Sequence, residues 1–207
     1  RVGLGYAPTG PVAWDGAGHV APPIAPAGDY HDLGVGPDGT AAALVDDMGA
    51  IGWLGGTPLR LEPRAVLPDV RAVDLGPDGG IAVATADAIV LLSPTGAERL
   101  RWPLDSRTVL DIAWSPDGAW IATASLGGTA DVWSARTGAL AATLAAHTDR
   151  VAAVEFAPDS SWLATASWDH TARRWSMAPL VGAAPDPAEI EARWGLSLAE
   201  TLVTARW

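Results

Sequence analysis

The chain has 207 residues, 49% of them apolar, enough for the packed core of one ordinary domain, and its 13 basic and 24 acidic residues leave a net charge of −11. A field of that sign argues against a nucleic-acid groove and against an anionic membrane surface as partners. All thirteen basic residues are Arg, and Lys, Asn, Gln and Cys are absent. A Walker A lysine, a Schiff base, an N-glycosylation acceptor, disulfides and thiol ligands for zinc are thereby removed, and a reducing, cytoplasmic compartment fits.

The chain opens on "RVGLGYAPTG". The Gly3-x-Gly5 pair is a weak echo of a dinucleotide loop, but Pro8 and the lack of a helical pattern after it leave a strand and a turn. No apolar run approaches the ~20 residues of a spanning helix, and no charged segment leads into an apolar one, so neither a transmembrane segment nor a signal peptide is expected. Arg1 in place of an initiating Met points to a piece of a longer protein. The histidines His19, His31, His147 and His170 are too scattered to define a metal site. Asp46-Asp47 reads as a solvated turn.

From residue 30 the chain repeats. Pro-Asp-Gly begins at Pro37, Pro77 and Pro116, and Pro158-Asp159-Ser160 is a fourth copy without its glycine; the offsets are 40, 39 and 42 residues. Each copy separates two short stretches of alternating apolar residues, as in "VLDIAWSPDGAWIATAS" and "VAAVEFAPDSSWLATAS". Pro presets φ, Asp follows, and Gly takes the positive φ that closes the loop, so these are β-hairpins. Two further strands follow each hairpin, giving an all-β chain of four-stranded units that bury their faces only by stacking on one another. Four units are readable over residues 30–180. Residues 1–29, with "GPVAWDGAGHV", supply the outer strands of a partial fifth.

The stretch "SWDHTARRW" places Ser167, Asp169 and His170 within four residues, the ingredients of a hydrolase triad. No Gly-x-Ser-x-Gly elbow surrounds Ser167 and no helix follows it, so a nucleophile is not expected there. Ala146-His147, Ser167 closing a second strand, Asp169 in the next turn and Trp175 late in the third strand together resemble the WD-repeat β-propeller family. The preceding unit keeps Ser125 and Trp133 but has Gly127 at the turn Asp and Asp105 at the His position. The resemblance implies a propeller blade in which His147, Ser167, Asp169 and Trp175 form a buried hydrogen-bonded tetrad, with no catalytic residue and no cofactor.

It also implies that the turn holding Trp168 opens onto the face most used for partners. Arg150 lies on that face, and Leu126 is the matching position one blade earlier. An exposed Trp beside an Arg has the composition of an interface hot spot. The expected function is therefore a non-catalytic platform for a protein or peptide, the sensor or scaffold part of a bacterial WD-repeat signalling protein. The alternative is a propeller enzyme whose site lies at the central channel, partly supplied by blades upstream.

Residues 181–207 leave the period. Asp186 as N-cap, Pro187 at the first helical position, acids in the first turn and Gly195 as the stop predict a short helical tail. Ile190, Trp194 and Leu198 form its apolar face, which packs on the propeller.

Overall fold

The computed structural model describes residues 3–7, 10–14, 30–56, 60–104, 108–178 and 180. All regular structure among them is β. The expected helical tail, with Asp186, Pro187, Ile190, Trp194, Gly195 and Leu198, lies outside the described residues, as do Asp105 and His19.

The strands follow one another as antiparallel meanders. A hairpin of β1 (Gly3–Ala7) and β2 (Gly10–Trp14) comes first. The first full sheet is β3 (Tyr30–Val35), β4 (Ala42–Asp46), β5 (Ala50–Gly55) and β6 (Arg60–Val66). The second is β7 (Val70–Leu75), β8 (Ile81–Thr85), β9 (Ala88–Leu92) and β10 (Glu98–Pro103). The third holds β11 (Val109–Trp114), β12 (Trp120–Ser125), β13 (Ala130–Ser134) and β14 (Leu140–Leu144). The last has three strands, β15 (Val151–Phe156), β16 (Trp162–Ser167) and β17 (Ala172–Ser176). The chain forms two compact units, residues 1–101 and 102–207.

The turn chemistry explains why each hairpin closes where it does. Gly39, Gly79 and Gly118 have φ of +67°, +78° and +76°, and Ser160, in the copy without glycine, is held at +59°. In every copy the Asp carboxylate accepts the N–H two residues on: Asp38 from Thr40, Asp78 from Gly80, Asp117 from Ala119 and Asp159 from Ser161. Ser160 has a use for its side chain that glycine would lack. Its hydroxyl oxygen accepts the N–H of Asp117, at 3.1 Å, in the equivalent turn of the neighbouring sheet.

Within residues 1–101, Val45 and Ile51 of the first full sheet pack against Val73, Ile81, Val83 and Val90 of the second. Each such side chain, fully buried, contributes about 1.5–3 kcal/mol. At Gly34 a Cβ would stand 2.3 Å from the Cα of Asp74, so β3 and β7 approach as closely as they do because Gly34 has no side chain. The Asp32 carboxylate accepts the N–H of Val73 at 2.7 Å across the same joint. Residues 102–207 repeat the arrangement. Trp120, Ala122 and Val132 pack against Val151, Val154, Leu163 and Trp175, and Asp111 accepts the N–H of Val154 at 2.8 Å. Each innermost strand carries a register shift at the same place, next to Asp32, Ala72, Asp111 and Ala153.

Candidate functional site

The described side chains expected in the tetrad and on the partner face lie in residues 102–207: Leu126 follows β12, His147 and Arg150 lie between β14 and β15, Ser167 closes β16, Trp168 and Asp169 follow it, and Trp175 is in β17. In the last sheet the indole N–H of Trp175 donates to Thr165 Oγ1 at 2.9 Å. Thr165 Oγ1 lies 2.8 Å from His147 Nε2, and His147 Nδ1 lies 2.8 Å from Asp169 Oδ2. When the Thr165 hydroxyl donates to Nε2, the single imidazole proton sits on Nδ1 and faces the carboxylate. The side chains of His147 and Asp169 are out of solvent.

The hydroxyl in this chain is therefore Thr165, and the expectation of Ser167 is corrected. Leu163 is the residue directly opposite Trp175, which puts Thr165 on the diagonal and within reach of the indole; Ser167, two residues further along the same face, is too far. Ser167 instead donates from Oγ to the carbonyl of Asp149 and accepts the N–H of Asp169, fastening the turn. The neighbouring sheet obeys the same rule. Trp133 donates to Thr123 at 3.1 Å, while Ser125 bonds to Thr129 within its own turn.

Asp169 is the most heavily bonded carboxylate of the site. The Thr171 hydroxyl holds its pKa well below the usual carboxylate range, aided by His147 and by the N–H groups of Thr148 and Thr171. Every acceptor position it offers is thus used inside the protein. A group so occupied is not poised to take a proton from a substrate, and Ser167, whose proton is committed to a backbone carbonyl, is no nucleophile in this geometry. Asp46 likewise spends a carboxylate oxygen on the N–H groups of Met48 and Ala50, as a turn residue does. Among the described residues no three His, Cys, Asp or Glu side chains gather into a metal-holding group.

Just outside the buried chain lies a different kind of surface. Trp168 is 56% exposed, and the Arg150 guanidinium stacks on its ring with 3.9 Å between Cζ and the ring centroid. The Trp168 N–H donates to the Arg150 carbonyl, so the two residues are tied through the backbone as well. Leu126, 48% exposed, occupies the same place one sheet earlier, its N–H donating to Thr108. Asp149, beside Arg150, approaches its guanidinium at 4.0 Å. The signal that would have found Thr165 was present in "LATAS": with Trp168, Asp169 and His170 as the turn, Leu163 falls opposite Trp175 and the middle residue of that run is placed to meet the indole.

Comparison with known proteins adds one match. Residues 101–134 and 138–176 fit the family model described as WD domain, G-beta repeat. No curated protein matches the chain. The second matched segment starts before β14, the outer strand of the third sheet, and ends with β17, so the sequence repeat runs one strand out of phase with the sheet. The repeat is matched twice in succession over antiparallel sheets of blade form, so residues 101–134 and 138–176 carry WD repeats.

Proposed function

We propose that this chain is a non-catalytic platform that binds a protein or peptide through the surface formed by Leu126, Arg150 and Trp168, as the sensor or scaffold part of a larger cytoplasmic signalling protein of bacterial type. The observation that carries the reading is the Arg150–Trp168 stack. A large aromatic ring stands half in solvent with a cation stacked on one face, and the backbone N–H of Trp168 is tied to the carbonyl of Arg150. The ring is preorganised, so a partner that covers it gains apolar burial without ordering a mobile side chain. Beneath it, the chain from Trp175 to Asp169 sets the turn that carries Trp168.

A peptide-display selection against the intact chain tests this. Trp168→Ala combined with Arg150→Ala should weaken the selected peptides by about thirtyfold or more, in line with the ~2 kcal/mol or more that marks a hot spot. Unchanged affinity of every selected peptide for the double variant, with the fold retained, would reject this surface.

A further inference from the structure

The Arg150 guanidinium offers N–H donors and no acceptor. Among the described residues none of those donors makes a hydrogen bond. The Asp149 carboxylate stands 4.0 Å from Nε, beyond hydrogen-bond reach, and its Oδ1 is spent on the Arg150 backbone N–H at 2.7 Å. In the free protein the Arg150 side chain is 40% exposed, and water serves its donors. A partner that covers Trp168 takes that water away, because the guanidinium lies on the ring itself, 3.9 Å from Cζ to the centroid. A guanidinium buried without acceptors is strongly unfavourable, so the partner has to bring one.

On the platform reading given above, we propose that the partner presents one carboxylate, set among apolar residues, to Arg150. A carboxylate accepts two parallel N–H bonds from a guanidinium, which fixes its orientation as well as its position. The apolar flanks match what lies beside it. Leu126 is 48% exposed, and a Cβ on Gly128, in the same turn, would stand 3.1 Å from the Asp149 carbonyl oxygen. The Leu126 turn therefore abuts the loop that carries Arg150, and the exposed part of the Trp168 ring completes the apolar border.

Two observations restrict the anion. Among Leu126, Asp149, Arg150 and Trp168 the one cation is Arg150, and Asp149 beside it is half exposed. Phosphorylated motifs are held by clusters of Arg, whereas a dianion here would meet Asp149 with a single guanidinium to offset it. The net charge of −11 also repels a polyacidic tract at longer range. A lone carboxylate in an otherwise neutral segment meets neither obstacle.

The test uses short peptides selected on the full chain from a random library. Each is resynthesised with its acidic side chain replaced by the amide, and with its C-terminus as acid or amide, which separates a side-chain carboxylate from a terminal one. Binding is read by fluorescence anisotropy on the parent chain and on Arg150→Met, which keeps an apolar stem over the ring and loses the donors. Removing the carboxylate should weaken binding to the parent about tenfold or more, and to Arg150→Met by less than about twofold. Equal losses on both proteins, selected peptides without a carboxylate, tighter binding of a phosphoserine version, or cationic peptides that lose affinity on Asp149→Asn would overturn this partner chemistry. Trp168→Ala separates the two readings. If it abolishes binding while the carboxylate proves irrelevant, the platform stands and its partner is of another kind; peptides indifferent to Trp168→Ala, or no selected peptide at all, remove the surface and the carboxylate partner together.

Discussion

Thr165 shows how much can depend on one hydroxyl. It receives the indole proton of Trp175 and faces His147, so replacing it by valine, nearly the same shape, removes an acceptor from one buried group and a donor from another. A loss of about 1–3 kcal/mol is expected from urea unfolding of Thr165→Val, with Thr165→Ser close to the parent. Ser167→Ala should cost less, since Ser167 serves a turn at the margin of the sheet. If Ser167→Ala proved the more damaging of the two, the hydrogen-bonded chain would have been assigned through the wrong residue. His147, Asp169 and Trp175 could be named from the resemblance to the WD repeat. The hydroxyl could not, because Thr165 and Ser167 share a face of β16 and only the register with Trp175 separates them.

At the scale of the element, the hairpins were readable because their turns rest on local chemistry: Pro, an Asp that accepts the N–H two residues on, and a residue with positive φ. The joints between sheets were not, since they rest on long-range pairs. Asp32 and Asp111 reach the inner strand of the next sheet, while the equivalent positions in the second and fourth sheets are Ala72 and Ala153. Nothing near Asp111 in sequence announces Val154. Removing the carboxylate by Asp111→Ala leaves the Val154 N–H without this acceptor inside the joint, a loss of about 1–3 kcal/mol. Hydrogen exchange should show it as faster exchange at Val154 with β13 and β14 unaffected, and unchanged exchange at Val154 would show that the contact holds nothing in place.

For the molecule as a whole the charge balance carries the argument. Asp169, Asp38 and Asp159 are all held below their ordinary pKa of 3.8 by hydrogen bonds to threonine or serine and to backbone N–H groups. Such groups bind protons more readily in the unfolded chain, so the stability they supply is complete above that ordinary value and is lost as the pH falls through it toward the folded value. Burial raises Asp32, against the N–H groups of Val73 and Leu33, and its contribution runs the opposite way, weakening as the pH rises. Burial raises Glu155 in the same sense, but the depressed carboxylates, with Asp78 and Glu98 among them, outnumber these two, so melting temperature should fall steadily below about pH 5, and Asp169→Asn should flatten that fall. Parallel curves for the two proteins would show that Asp169 is not among the groups responsible. The fold class could be read early because the forty-residue period recurs along most of the chain; that Trp168 and Arg150 share a face was expected from the resemblance, whereas the stacking of the guanidinium on the ring is a matter of loop geometry, which no period encodes.

The one-strand offset between the matched repeat and the sheet has a consequence for anyone cutting or grafting this chain. Excising the segment 138–176 as a cassette would take β14 away from its own sheet and carry it along with β15 to β17. A seam drawn between these two motifs therefore falls inside the third sheet, between β13 and β14, and a graft that respects the sheet has to begin at β15.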